Sequence, residues 1–141
     1  MTDRRILITG SRAWQNGGLI GELLGQQIAY LDAGGTLTVV HGACPRGADA
    51  HAAQWVEETA AFYSRPDLTA WRIVAEPHPA LWRPAGVFDK AAGFRRNAEM
   101  VNLGADLVLA FIRDRSKGAT HTAHLAVDAG LVLRVYRETS A

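Results

Sequence analysis

The chain has 141 residues, 48% of them hydrophobic and 21% charged, with a formal net charge of +1. This is the length and composition of one ordinary globular domain, and the near-neutral balance excludes a global field drawing the protein to nucleic acid or membrane. A lone cysteine, Cys44, excludes an internal disulfide and suits a reducing compartment. No signal-peptide core follows Met1–Arg5 and no apolar run is long enough to span a bilayer, so the expectation is a cytoplasmic protein with no membrane partner.

In chain order, 5–9 is a short continuous apolar run ending at Gly10, the pattern of a strand buried on both faces. Apolar residues at helical spacing cover 19–31 and stop at Gly34-Gly35. A second strand is predicted over 37–41, a helix over 48–62 and a third strand over 71–75. A long Pro-rich connection runs from Pro77 to Lys90; a loop of that length in a compact domain is usually functional or disordered. The remaining elements are a helix over 91–103 closed by Gly104, a strand over 106–111, a helix over 120–129 closed by Gly130, and a strand over 131–136. Strand–helix alternation without repeats or linkers predicts an α/β fold: a Rossmann-like three-layer sandwich with a five-stranded, mainly parallel sheet, formed by one domain spanning 1–141.

Ligands of such sheets bind beyond the carboxyl ends of the strands. The loops at that edge carry Gly10-Ser11-Arg12, then Gly42 to Asp49, then Arg95-Arg96-Asn97, then Arg113 to Thr120. Glycines let backbone N–H groups approach a phosphate, helix N-termini add a positive dipole end, and arginine offers a planar fork to phosphate oxygens. A single such loop is as well explained by turns and caps, but three converging on one edge favour an anionic ligand. Two familiar nucleotide motifs are missing. Gly-x-Gly-x-x-Gly does not follow the first strand, and Gly-x-x-x-x-Gly-Lys-Ser/Thr does not occur, which argues against an ordinary NAD dehydrogenase and a P-loop NTPase.

The segments Ile8-Thr9-Gly10-Ser11-Arg12, His41 to Asp49, Arg95 to Val101 and Ser116 to His121 resemble the SLOG superfamily, which joins the DNA-processing protein Smf/DprA to the Lonely Guy enzymes. The branch they are most similar to is the YspA-like, YpsA-related one. The resemblance covers nearly the whole chain. It implies a nucleotide or nucleotide derivative, such as a nucleoside monophosphate or an ADP-ribose-like molecule, held by a sensor or binding module. It also implies a homodimer. The residues it assigns to the ligand are Gly10, Ser11, Arg12, Gly42, Gly47, Ala48, Asp49, Arg95, Arg96, Asn97, Ser116, Gly118, Thr120 and His121. Arg96-Asn97-Ala98-Glu99-Met100 matches the Lonely Guy segment whose arginine serves phosphoribohydrolase chemistry, so Arg96 inherits that catalytic role and an N-glycosidase is an alternative function. Against it, Ala123 stands where that family's catalytic glutamate aligns. The Smf/DprA match makes single-stranded DNA binding a further alternative, weakened by the charge balance and the lack of a basic stripe.

Several residues admit a plain structural reading. Asp49 and Thr120 could be helix caps. Arg95 and Arg96 diverge by about 100° on a helix, so only one is expected to face the pocket, and the motif favours Arg96. Cys44, His41, His121 and His124 could be assembled into a metal set on paper, but no Cys-x-x-Cys or His-Glu-x-x-His supports one, so no metal or cofactor is expected. Trp55 and Trp71 fall in periodic segments and belong to the core. Trp14 and Trp82 fall in loops near the edge, where either could stack on a base, Trp82 being favoured because its loop could act as a lid.

Overall fold

The structure is a computed structural model that describes residues 3–65 and 70–140. Five strands, β1 (Asp3–Gly10), β2 (Thr36–His41), β3 (Arg72–Pro77), β4 (Leu107–Arg113) and β5 (Leu133–Glu138), form one sheet in the order β3-β2-β1-β4-β5. Every pairing is parallel. Four helices connect them: α1 (Gly17–Gln27), α2 (Ala48–Tyr63), α3 (Ala92–Asn102) and α4 (Lys117–Asp128).

Burial in the central strands follows from this order. In β1 and β4 both faces are covered, and Ile6, Leu7, Ile8, Val108, Leu109, Ala110 and Phe111 are essentially inaccessible. Their alternation defines the three layers. Ile6, Ile8, Val39, Leu109 and Phe111 pack with Leu24 of α1 and with Ala52 and Val56 of α2. Leu7, Val40 and Val108 turn the other way, onto Met100 and Val101 of α3 and Ala126 of α4. The chain winds outward through β1, β2 and β3 on one side, then crosses back to β4 on the other side of β1. The order therefore reverses between β1 and β4, the crevice in which ligands of such sheets bind.

Element ends differ from the sequence expectation for local reasons. Helix α1 begins at Gly17 because the Asn16 side chain accepts the Leu19 N–H at 3.0 Å, and it finishes in a 3-10 turn at Ile28–Tyr30. Helix α4 begins at Lys117 rather than 120, so the Lys117-Gly118-Ala119 stretch expected as a turn is the helix's first turn. Strand β5 starts two residues late, at Leu133, because Leu131 N–H still bonds back to Ala126 across the helix end. Trp14 is in the core rather than the site. It is 3% exposed, edge-on to Phe111 at 5.2 Å, and donates its indole N–H to the Asn16 carbonyl. Trp55 and Trp71 are half-buried against the same core cluster.

A polar set spans β1 to β3 on the face of the sheet that carries α3 and α4. Arg5 of β1 reaches across β2 to hold Glu76 of β3 with two bonds of 2.8 and 2.9 Å, and Glu76 also meets His78 Nε2 at 2.8 Å. The Arg5 bonds, helped by His78, hold the Glu76 carboxyl down at about 2.

At the carboxyl edge, β1, β4 and α2 approach too closely for side chains. A Cβ on Gly10 would lie 2.4 Å from Ala48 Cβ, and one on Gly47 would lie 2.3 Å from the Ser11 carbonyl oxygen. Gly47 also has φ +75. Gly47→Ala combines a backbone clash with an unfavourable left-handed conformation, and is expected to destabilise the protein by at least about 1–3 kcal/mol in urea unfolding.

Candidate functional site

A cleft of about 1090 Å³ opens at the carboxyl edge of the sheet, over the β1/β4 reversal point. Each wall comes from a different connection. The β1 end supplies Gly10, Ser11 and Arg12, and the β2 end supplies Gly42, Ala43, Cys44 and Pro45. The long connection after β3 supplies Pro79, Trp82, Phe88 and Lys90. Helix α3 adds Gly93, Phe94, Arg96, Asn97 and Met100, and the β4 end leads from Arg113 to Ala119. Among the described residues, the charged ones lining it are Arg12, Lys90, Arg96, Arg113 and Arg115 against Asp49 and Asp114. Arg113 is paired with Glu138 at 2.9 Å, and the cationic groups that remain still outnumber the carboxylates, which favours an anion in the cleft.

The floor is built of polar groups locked to one another. Ser11 is buried, and its hydroxyl accepts the Arg113 N–H at 2.8 Å, stitching β1 to β4. The Ser11 carbonyl accepts the Ala48 N–H at the start of α2. Arg96 donates from Nη1 to the carbonyls of Gly42 and His78, and from Nε to Asn97 Oδ1 at 2.8 Å. Its guanidinium thus ties the ends of β2 and β3 to α3. A Cβ on Gly42 would lie 2.6 Å from Arg96 Nη1 and 2.9 Å from Asp49 Oδ2, so the missing side chain admits both charged groups to one place. Asp49, 8% exposed, accepts the Cys44 N–H at 3.2 Å. Burial pushes its carboxyl up to about 6, against the opposing pull of that N–H and of the Arg96 and Arg12 charges. Burial likewise lowers Arg96, opposed by Asp49. A carboxyl poised near 6 beside an arginine is able to exchange a proton in the physiological range.

The cleft brings together Gly10, Ser11, Arg12, Gly42, Asp49, Arg96, Asn97, Ser116 and Gly118. The other expected residues fall outside its lining. Gly47 and Ala48 lie behind it, where they allow the β1 end and α2 to meet. Arg95 turns outward on α3 and pairs with Asp89. Thr120 gives its hydroxyl to the Ser116 carbonyl at 2.6 Å. His121 stands edge-on to Phe94 at 4.7 Å. Ala123, aligned with the Lonely Guy glutamate, is buried against Ala110 and Ile112 of β4. The paper metal set is dispersed. His41 is buried, its Nδ1 accepting the Ala43 N–H, and its pKa is lowered chiefly by burial. Among the described residues, no group of three or more metal-ligating side chains is assembled.

Two features of the site escaped the sequence reading. The non-glycine residues with positive φ among the described ones, Ala43, Ala85 and Asp114, all belong to the connections that surround this cleft. Strained backbone of this kind gathers at ligand sites. The other is the first turn of α4. Ser116 makes no side-chain capping bond, and a Cβ on Gly118 would meet nothing within 4 Å, so the first-turn N–H groups have no side-chain cap and the cleft wall at Gly118 is open.

Fold and cleft together define a doubly wound domain with a cationic pocket at its switch point. The model of the YspA, cpYpsA-related SLOG family matches residues 4–63, from β1 through α2. The Gene 61 protein of Mycobacterium phage D29 is 39% identical over 128 residues, which cover 91% of this chain and 92% of that protein. The chain belongs to this SLOG family. No solved structure matches it. Among the described residues, no helix is long and apolar enough to cross a membrane.

The raised Asp49 pKa has a defined sign. The folded protein binds this proton more tightly than the unfolded chain, so the associated stability is complete below about pH 4 and is lost as pH rises through about 6. Between pH 4 and 7 the wild type should lose on the order of 3 kcal/mol of unfolding free energy relative to Asp49→Asn. Paired urea titrations across that range measure the difference and cancel the other carboxylates.

Proposed function

We propose that the protein binds a nucleotide or nucleotide derivative in this cleft, as a sensor or ligand-binding module. The observation that carries the reading is the combination of a cationic cleft at the β1/β4 switch point with the uncapped, open first turn of α4. A phosphate group suits the α4 turn and the neighbouring arginines, and the cleft volume accommodates a nucleoside monophosphate or an ADP-ribose-like molecule. Family membership supports a nucleotide-related ligand.

A thermal-shift screen of nucleoside monophosphates and ADP-ribose against the full chain tests the reading. At a hundredfold excess over Kd, a true ligand adds about 2.7 kcal/mol, a rise on the order of 10 °C in Tm for a chain this size. The same ligand should stabilise Arg96→Ala and Arg12→Ala far less. No stabilisation by any of them overturns the reading.

A second reading, N-glycoside hydrolysis of a nucleoside monophosphate, draws its support from Asp49. Its buried carboxyl, near 6 and beside Arg96 in the cleft, is a candidate general acid or base in place of the glutamate that Ala123 does not supply. Release of free base from a bound monophosphate, abolished in Asp49→Asn, is the expected signature; binding with no base released leaves the module.

A further inference from the structure

The connection between β3 and α3 is an odd place for exposed apolar residues. Phe88 is 55% exposed and Trp82 is half-buried, yet both turn toward the cleft. The two rings are nearly parallel, with planes 15° apart and centroids 6.1 Å apart. The indole is seated from behind on the first turn of α3, where a Cβ on Gly93 would lie 2.9 Å from Trp82 Cη2. The far end of the ring is thus fixed by a helix. Arg12 holds its guanidinium over the indole, 5.6 Å from the ring centroid.

These contacts give the cleft two chemically distinct ends. One presents a supported aromatic surface. The other presents the first turn of α4 at Ser116 and Gly118, whose neighbouring ring, Phe94, is already engaged edge-on with His121. Arg12 is exposed, and the contact that holds it is the one to Trp82. Its cation–π contact at an exposed site is weak, whereas a charge-assisted bond to a phosphate is strong and geometrically matched. An aromatic base gains as much from the indole as a guanidinium does, and needs no charge to do so.

We propose that Trp82 is the stacking platform for the base of the ligand, and that Arg12 exchanges the indole for the ligand's phosphate when the base takes its place. The cleft would then select phosphorylated nucleosides over sugar phosphates that lack a base. This rests on the nucleotide reading above and adds to it the side chain that recognises the base.

Isothermal titration of the full chain with AMP, ADP-ribose and ribose 5-phosphate separates the two claims. The wild type should bind AMP or ADP-ribose about ten- to a hundredfold more tightly than ribose 5-phosphate. Trp82→Ala should lose that ratio while its affinity for ribose 5-phosphate is unchanged, and Trp82→Phe should restore most of it. Binding should also quench tryptophan fluorescence in the wild type and not in Trp82→Phe. A merely structural tryptophan would weaken all ligands together and leave the ratio alone; circular dichroism melts of the variants check that they fold. If AMP or ADP-ribose binds equally well in Trp82→Ala, or no better than ribose 5-phosphate, the stacking role is overturned and the nucleotide reading survives. If neither binds the wild type at all, both are overturned.

Discussion

The cleft depends on one close approach. At the carboxyl edge, the end of β1, the end of β4 and the start of α2 converge on Gly10 and Gly47 with no room for a Cβ on either. Ser11 locks the junction, bonding Arg113 of β4 through its hydroxyl and Ala48 of α2 through its carbonyl. Two of the pocket's walls are hung from that junction. Arg12 leaves it on one side, and the Arg113–Ser116 segment leaves it on the other. The glycines there serve close packing within the chain, and the uncrowded backbone at the cleft is instead at Gly118, where a Cβ would meet nothing within 4 Å.

A second constraint is the cost of burying charge. Arg96 spends its donors on the Gly42 and His78 carbonyls and on Asn97, and only in that frame does Asp49 sit beside a cation without a water-exposed route to neutrality. Desolvation wins over the attraction of the two arginines, which is why the carboxyl rises rather than falls. The outcome is a floor carboxyl whose charge changes near 6. Arg5, Glu76 and His78 reinforce the same region, since the His78 carbonyl is one of those Arg96 holds.

Most of the architecture was legible in the sequence. The doubly buried runs at 6–8 and 107–111 are apolar throughout because helices cover both faces, and strand–helix alternation then calls for parallel pairing, which the sheet shows in every pair. The α4 start was not legible, because Gly118 lowers helix propensity and nothing local shows that the first turn gains from facing a pocket. Side-chain direction was only half legible. Helical geometry separates Arg95 from Arg96, but that Arg95 finds Asp89 is a fact of the long connection, which has no periodicity to read. Trp14 misled because a tryptophan in a loop carries no mark of burial; its place depends on Phe111, nearly a hundred residues away. The left-handed Ala43, Ala85 and Asp114 were invisible, since neither alanine nor this aspartate announces positive φ.

The pairing of Arg95 with Asp89 bears on the thermodynamics of association. Asp89 also accepts the Ala91 N–H through its side chain and gives its own N–H to the Trp82 carbonyl at 2.6 Å. The connection that carries the aromatic pair is therefore cross-linked to itself and to α3 by the fold alone. Fixing a loop of this length at the moment of binding would subtract conformational entropy from every ligand's affinity. Here that entropy is surrendered during folding, so the proposed ligand would meet a wall already ordered, although its composition looks too irregular for that.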